Sequence, residues 1–578
     1  MTDESKKNGN KVDIEKVNQR YQALKNERSP WDTAWRDLAD HFCPTRFRAD
    51  TDSSDRKPEI LNRNIVDTTG LQDMRTLAAG MQGGMTSPVR PWFKIGLEDE
   101  EAAQAPDAGA WLDEVRKRMQ VLLHRSNFYN MAHSLYSDLG TFGQGLMIET
   151  ADWDGLHFQL IPAGEYVLDT NDKGDVDTFM YRTRMSARQI IQKFGEDVVP
   201  DHIKTAAKNS GAAVTSFFDV IHAVFPRSER TFGRLDSLNM PWASVWWLGF
   251  GNTGGGKPCV LRESGFKSFP AFAPRWGVTG NDKYGRSPAM DALPDCRMLQ
   301  QMGKTTLRAM HKAVDPPVAV PSSLKNEGVD LTPAGVNYLS MDGPEKGRIE
   351  PIQQIQPQII AAAEQKIESV RQAVHDGLFA DLFKMLMLND RRQITATEIE
   401  AREREKLILL GPVVERLDRE FLSPLVMRTF QLMADFDHLP PQPDSIAGAP
   451  LRVEFVSVMA QAQKLVSTSP IDQTFAFVVN VAQAKPEVLD NIDVDYTVRE
   501  YAEALGAPAA MMLPEGQVQQ TRAARAQAQQ QAAAQAQQQA AMQQAVDLTG
   551  AAKNLGQTPL GADGQTAMDA LMGGLGSM

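Results

Sequence analysis

Apolar residues three and four apart set the pattern at the start of the chain. Ile14, Val17, Tyr21 and Leu24 make one stripe, and Trp31, Trp35, Leu38 and Phe42 make a second. A repeat of about 3.6 residues gathers each set on one face of a helix. Between them, Ser29-Pro30 pairs an N-cap residue with a proline suited to the first turn, which predicts a new helix there. A further amphipathic segment runs from Asp67 through Leu71, Met74, Leu77 and Met81 to the breaker Gly83-Gly84. Residues 110–139 again carry the helical period.

From Gln144 to Phe269 the pattern shortens. The runs Leu156–Ile161, Phe179–Arg184, Phe217–Phe225 and Ser244–Phe250 alternate with Gly, Asp, Asn and Pro turns, as strands do. The capping box Ser186-Ala-Arg-Gln189 announces one short helix among them. This stretch reads as a mixed α/β body.

A long helix follows. Ser287 caps it, Pro288 sits in its first turn, and Met290, Leu293, Leu299, Met302, Leu307, Met310 and Val314 form its stripe up to Asp315-Pro316-Pro317. About forty residues rich in Pro, Gly and Asn come next, with β-like pieces at Pro317–Val320 and Arg348–Ile352. The return helix has the cleanest period: Ile360, Ala363, Ile367, Val370, Val374, Leu378, Leu382 and Met385. Two long helices thus bracket a small β-rich insert, a stalk with a tip.

Asn389-Asp390-Arg391-Arg392-Gln393 breaks that pattern, and the capping box Thr395-Ala-Thr-Glu398 starts another long helix towards Asp437. Glu398/Arg402, Glu400/Arg404 and Glu415/Arg419 support it as i,i+4 pairs, while Gly411-Pro412 should bend or break it. A strand, Leu451–Val456, follows a Pro-rich stretch. From Gln517 to Gln543 the chain is nearly pure Gln and Ala, a polar helix that orders in contact with copies of itself, and the tail after Gly550 reads as disordered.

Composition narrows the function classes. The 578 residues are 42% hydrophobic and 23% charged, ordinary for a globular protein with several domains' worth of core. No apolar run suits a membrane span, and the polar N-terminus does not suit a signal peptide. Cys43, Cys259 and Cys296 lie far apart, against a disulfide scaffold or a zinc site. A net charge of −12 argues against a broad basic face for nucleic acid but leaves room for local basic stripes.

Catalytic motifs fail one by one. Gly251, Gly256 and Lys257 fit most of a phosphate loop, yet Pro258 replaces the hydroxyl residue that would hold Mg²⁺. Cys259–Phe266 also lacks a helical period, so residues 249–258 read as a long turn between antiparallel strands. Gly303-Lys304-Thr305-Thr306 has Met298 where the first glycine belongs. Ser287 lies in Gly285-Arg-Ser-Pro-Ala289, whose Ala289 and Pro288 mark a helix cap rather than a nucleophile elbow. The nine histidines are scattered without metal-ligand spacing. Asp50-Thr-Asp52-Ser-Ser-Asp55 lacks the glycine and closing glutamate of a calcium loop. No catalytic constellation, metal site or cofactor is expected.

Basic residues are better organised. Lys304, Arg308 and Lys312 recur at i, i+4 and i+8 on the first stalk helix. Arg391-Arg392, with Lys384 nearby, sits in the break between two long helices. In a monomer the first reads as a solvated face and the second as a surface loop or a helix C-terminal charge pair; several copies around one axis would turn them into rings of phosphate contacts without base reading.

The chain resembles the head-to-tail connector, or portal, proteins of short-tailed bacteriophages. The resemblance is carried by Ile65-Val-Asp-Thr-Thr-Gly70, Leu77-Ala-Ala-Gly-Met-Gln-Gly-Gly-Met-Thr-Ser-Pro88 with Pro91-Trp-Phe93, and Gly140-Thr-Phe-Gly-Gln-Gly145. Tyr284-Gly-Arg-Ser-Pro-Ala-Met290, Thr395-Ala-Thr-Glu-Ile399, and Leu410-Gly-Pro412 with Leu422-Ser-Pro424 continue it in order. It implies an α+β, mainly helical portal fold: an α/β wing, a two-helix stem, a small β-rich clip and a helical crown or barrel. The expected divisions are the wing with its N-terminal helices (1–286), stem helices (287–314 and 358–383), clip (315–357) and tunnel loop (384–396). A long wing helix and crown (397–515) and a Gln/Ala-rich barrel or tail (516–578) complete them.

The resemblance further implies a homo-oligomer, by expectation a dodecamer, at one capsid vertex, with double-stranded DNA in its channel. Lys304, Arg308, Lys312, Lys384, Arg391 and Arg392 are then the expected phosphate contacts. Implied partners are the terminase large subunit, the major capsid and scaffolding proteins and a tail adaptor, with no membrane. The implied locations are the virion and, during assembly, the host cytoplasm. Two other readings stand beside it: a different virion structural or scaffold protein, and a nucleotide-dependent packaging factor built on Gly251–Lys257.

Overall fold

The computed structural model describes residues 12–47, 65–98, 106–209, 216–228, 230, 236–249, 259–314, 318–319, 350–351, 356–388, 410–443, 451–455, 474, 477–478, 493–498 and 515–557. Residues 1–471 and 472–578 form separate units. The fold is α+β and mainly helical, as expected.

Helix α1 (Ile14–Phe42) is capped by Asp13, whose Oδ1 accepts from the amides of Glu15 (3.1 Å) and Lys16 (3.4 Å). It does not restart at Ser29-Pro30: Pro30 lies inside one continuous helix. An interior proline costs about 3 kcal/mol, and burial on both sides of it offsets that. Val17, Tyr21 and Leu24 pack on a sheet face with Met180, Ile221 and Trp247, while Trp35, Leu38 and Phe42 enter the main core. Arg28, buried between the two stripes, donates to the Tyr166 carbonyl at 2.6 Å and pairs with Asp32.

Helix α2 (Thr69–Met85) runs through Gly83-Gly84 because Met85 is itself core. The predicted helix over 110–139 is two, α3 (Pro106–Arg125) and α4 (Phe128–Phe142). Ser126 makes the turn, donating to the Leu123 carbonyl and accepting from the Phe128 amide. Asn127 then bonds both backbone groups of Phe158, fastening the turn to a strand. Between α2 and α3 lies β1 (Phe93–Leu97).

Strands β2 (Leu146–Asp152) and β3 (Gly155–Ile161) form a hairpin. Five further strands make an antiparallel meander: β4 (Tyr166–Thr170), β5 (Val176–Ser186), β6 (Phe217–Pro226), β7 (Trp242–Leu248) and β8 (Cys259–Phe266). Helices α5 (Ala187–Phe194) and α6 (Asp201–Lys208) interrupt it, and the Ser186/Gln189 capping box of α5 is fully formed. The segment after Lys257 is a strand paired with β7, so the glycine-rich stretch joins two antiparallel strands; residues 250–258 themselves lie outside the described residues. β9 (Ala271–Phe272) adds to β2.

Helix α7 (Pro288–Val314) runs out and α8 (Pro357–Gly377) returns against it. At the far end β10 (Val318–Ala319) pairs with β11 (Glu350–Pro351), closing the base of the insert. The return helix is broken where an unbroken period was expected: α9 (Ala380–Leu388) starts after Phe379, whose φ of 55° no helix accepts. The break turns Phe383 into the core, against Gly80 of α2, where an added Cβ would lie 2.3 Å from the ring.

Helix α10 (Gly411–Leu417) begins, rather than bends, at Gly411-Pro412. It continues through a π turn (Asp418–Leu422) into α11 (Ser423–Asp435). Arg419 reaches Asp175 at 2.8 Å instead of the expected Glu415. Thr395–Glu398, Glu398/Arg402 and Glu400/Arg404 lie outside the described residues. β12 (Leu451–Phe455) closes the first unit by pairing with β1. In the second unit, α12 (Glu515–Gln557) is built mostly of Gln and Ala and passes the expected end at Gly550.

Inside the core, Glu149 of β2 faces Arg428 of α11, with Oε2 and Nε at 3.4 Å, and accepts from the Thr429 hydroxyl at 3.0 Å. Burial outweighs Arg428 and Thr429 and pushes the carboxyl up to about 7. A folded-state value above the usual 4.5 means that the folded chain holds this proton longer than the unfolded one. The group's contribution is therefore fully present below 4.5 and is lost as pH rises towards 7. Denaturant unfolding at pH 5 and pH 8 should show a loss with pH, on the order of 1 kcal/mol per unit, that Glu149→Gln removes. Identical pH dependence in the two proteins would refute the assignment.

Candidate nucleic-acid interface

The stalk is rooted where two glycine segments cross. Gly143 ends α4 at φ 81°, and a Cβ there would stand 2.3 Å from the Gly285 carbonyl oxygen. Only glycine on both segments allows the approach. The Gly285 amide donates to Gln144 Oε1 at 2.9 Å, and the buried Ser287 hydroxyl donates to the Thr141 carbonyl at 2.8 Å. Ser287 also accepts from the Met290 amide at 3.1 Å, so it is the cap of α7 and not a nucleophile.

A second fastening lies three turns along. Gln300, buried, accepts through Oε1 from the amides of Val66 (2.7 Å) and Asp67 (2.9 Å) and donates through Nε2 to the Asp67 carbonyl (2.6 Å). The Asp67 carboxylate takes Arg371 of α8 at 2.8 Å. Hydrogen bonds from Thr69, then Arg371, hold its pKa below the usual carboxylate range despite partial burial. One short segment, Val66-Asp67, thereby straps both stalk helices.

Beyond Gln300 the stalk leaves the body. Leu299 is fully buried against Ile367 and Val370, but Leu307 is 50% exposed, Val314 87% and, on α8, Ile359 61%. The stripe predicted for α7 is thus covered only in its first half. Over the same outer stretch, 301–314, the chain carries Lys304, Arg308, His311 and Lys312 and no acidic residue. None of Lys304, Arg308 and Lys312 has a carboxylate within ion-pair distance among the described residues. Burial, with help from Lys304, lowers the pKa of His41 on α1, against Asp40.

Lys384 does not join them. Its Nζ stands 4.0 Å from Asp73 and 3.9 Å from Asp381, so two carboxylates already attend it. Asp73, 1% exposed on α2, accepts from His375 Nδ1 at 2.6 Å. Burial raises its pKa, against the pull of His375 and Lys384. The carboxylate ties α8 and α9 to α2 across the break at Phe379. Arg391 and Arg392 lie outside the described residues. Of the six expected phosphate contacts, Lys304, Arg308 and Lys312 share one stretch of α7, and Lys384 stands exposed beside Asp73 and Asp381.

Asp73 and Gln300 escaped the sequence reading, although each is a polar residue inside a helix's apolar stripe. Among the described residues no three His, Cys, Asp or Glu side chains gather as for a metal, and no helix is long and apolar enough to cross a membrane.

Residues 14–513 match the family of bacteriophage head to tail connecting proteins. The portal protein of Salmonella phage epsilon15 is 39% identical over 513 residues, 88% of this chain and 90% of that one. The probable portal protein of Bordetella phage BPP-1 is 36% identical over 512 residues, 88% of this chain and 91% of its own. A chain from the neck of an empty GTA particle, 10% identical, aligns over 71% of this chain and 86% of that one with a TM-score of 0.35, too slight a likeness to carry an argument.

Replacing Gln300 by Ala leaves two amides and a carbonyl without their partner, at a cost of about 1–3 kcal/mol. Hydrogen exchange at Val66 and Asp67 should accelerate accordingly while that of the β4–β8 meander stays unchanged. Unaltered exchange at those two amides would mean that Gln300 is not the strap.

Proposed function

This chain belongs to the bacteriophage head to tail connecting proteins, and we propose that its copies form the portal ring at one capsid vertex. Double-stranded DNA enters and leaves through the channel, the terminase large subunit docks on the ring during packaging, and the tail adaptor follows. The single observation that carries this reading is the outer stalk. An exposed apolar face there accompanies a basic stripe free of acids, and both gain a purpose when stalks surround a common axis.

In this reading residues 1–286 are the wing, 287–314 and 358–383 the stem, and 315–357 the clip. Residues 384–396 are the tunnel loop, 397–515 the long helix and crown, and 516–578 the barrel or tail. Lys304, Arg308 and Lys312 supply phosphate contacts, with Arg391 and Arg392 in the tunnel loop; Lys384 acts instead within the Asp73 cluster. Capsid and scaffolding proteins meet the wing, assembly takes place in the host cytoplasm, and the ring ends in the virion. Its work is mechanical: the chain positions DNA and motor, and ATP hydrolysis belongs to the terminase.

Sparse cations suit a sliding polymer. Each phosphate contact steepens the salt dependence of DNA binding by about 0.9 in the logarithmic slope. Rings carrying Lys304→Gln, Arg308→Gln and Lys312→Gln should assemble normally, bind a DNA duplex with a shallower slope and retain packaged DNA less well. An unchanged slope in intact variant rings would remove the stripe from the channel.

A further inference from the structure

A second pair of cations lies far from the stalk, on the face of the β4–β8 meander covered by α5. Trp246 of β7 is 8% exposed and stacks on His222 of β6, the rings 3.9 Å apart and 8° from parallel. His222 is itself held by Ser244, its Nε2 2.9 Å from the hydroxyl oxygen. Burial, with help from the nearby lysine, keeps that imidazole neutral far below its ordinary range. On the outer side of the same indole stands Lys193, the last basic residue of α5, with Nζ 3.7 Å from the ring centroid.

Arg262 of the edge strand β8 is cross-strand neighbour to Trp246, and its Nη2 donates to the Lys193 carbonyl at 2.7 Å. Its guanidinium and the Lys193 ammonium stand 5.5 Å and 5.8 Å from the Phe194 ring. Neither cation has a carboxylate within ion-pair distance among the described residues. Both rest on aromatic faces, which attract a cation but do not neutralise it. Lys193 and Arg262 are both exposed residues, close enough that the charge of one is felt by the other. Partial burial, with the repulsion of Arg262, pulls the Lys193 amine down to about 8. Two adjacent cations held by packing, without an anion between them, make a receptor for one.

We propose that Lys193 and Arg262 receive a carboxylate side chain from an adjacent copy of this chain, which completes the site when the ring closes. This rests on the ring reading above. The surroundings select one carboxylate over a nucleic-acid backbone. Glu196, Asp197 and Asp201 follow Lys193 on the exposed surface, and Arg182 and Arg184 are paired with Asp219. A polyanion laid across this face would meet those acids, whereas a single carboxylate needs only the two cations. The chain also offers many donors of that charge, with 73 Asp and Glu against 61 Lys and Arg. A fork-shaped guanidinium beside an ammonium matches a carboxylate's two oxygens.

Carbodiimide coupling tests this directly, since it joins an amine to a carboxylate only where the two already touch. Rings assembled from equal parts of ¹⁴N and ¹⁵N protein should yield, after digestion, a Lys193 peptide amide-linked to an Asp or Glu peptide of the other isotope. Acylation of Lys193 at pH 7.5 should slow by roughly tenfold on ring closure, as a one-unit rise in its pKa requires. A short DNA duplex added to dissociated subunits should leave that rate unchanged. Lys193→Met/Arg262→Gln rings should form but come apart at lower salt than wild type.

Isotope-mixed rings with no Lys193 crosslink, or crosslinks only within one isotope, would overturn the proposal while leaving the ring intact. Protection of Lys193 by the duplex would overturn it in favour of nucleic acid. Failure of the wild-type chain to form rings at all would bring down the underlying reading as well.

Discussion

Everything outward of the core depends on the close crossing of Gly143 and Gly285. Two backbones meet there at a distance that excludes any Cβ, and the buried Ser287 cap follows within two residues. The crossing fixes where α7 starts and in which direction it leaves the body. Three turns on, Gln300 and Asp67 fix the direction again and add α8 to the same strap. A helix pair anchored twice near its root can project without cover beyond it. Uncovered apolar residues at Leu307, Val314 and Ile359 are then a consequence of rigid anchoring rather than of poor folding. Large exposed apolar residues arranged this way mark an interaction surface.

The electrostatics follow the same division. Several cations of the body are matched: Arg275 with Glu420 at 2.7 Å and Arg227 with Glu263 at 3.1 Å, while Lys384 stands at the surface beside two carboxylates. On the outer stalk Lys304, Arg308 and Lys312 have no carboxylate partner among the described residues, in a chain whose net charge is −12. Local excess within an acidic whole gives contact without capture, because DNA that binds a few cations weakly per subunit remains free to move. The Asp73 cluster separates the two regimes. It sets carboxylates beside Lys384 on α9.

Much of this was legible in local patterns. The Ser186 capping box, the Ser287 cap, the strand after Lys257 and the basic i, i+4, i+8 stripe each depend on residues within a turn or two of one another. What could not be read locally depended on distant partners. Helix α1 continues through Pro30 because Arg28 finds the Tyr166 carbonyl and two separate cores hold its halves. The return helix breaks at Phe379 because Phe383 fits a space left by Gly80, far earlier in the chain. Nothing near Lys384 in the sequence showed that Asp73, on a different helix, would stand beside it. The position of Asp73 inside an apolar stripe was the available sign.

The central claim is that a single chain is incomplete and that its stalk is finished by its neighbours in a closed ring. Light scattering on the purified protein, with negative-stain images of the same fraction, tests this most directly. The account predicts a mass near that of a dodecamer and a closed ring with a stain-filled central hole. Folded protein that forms only filaments or small open oligomers would contradict it.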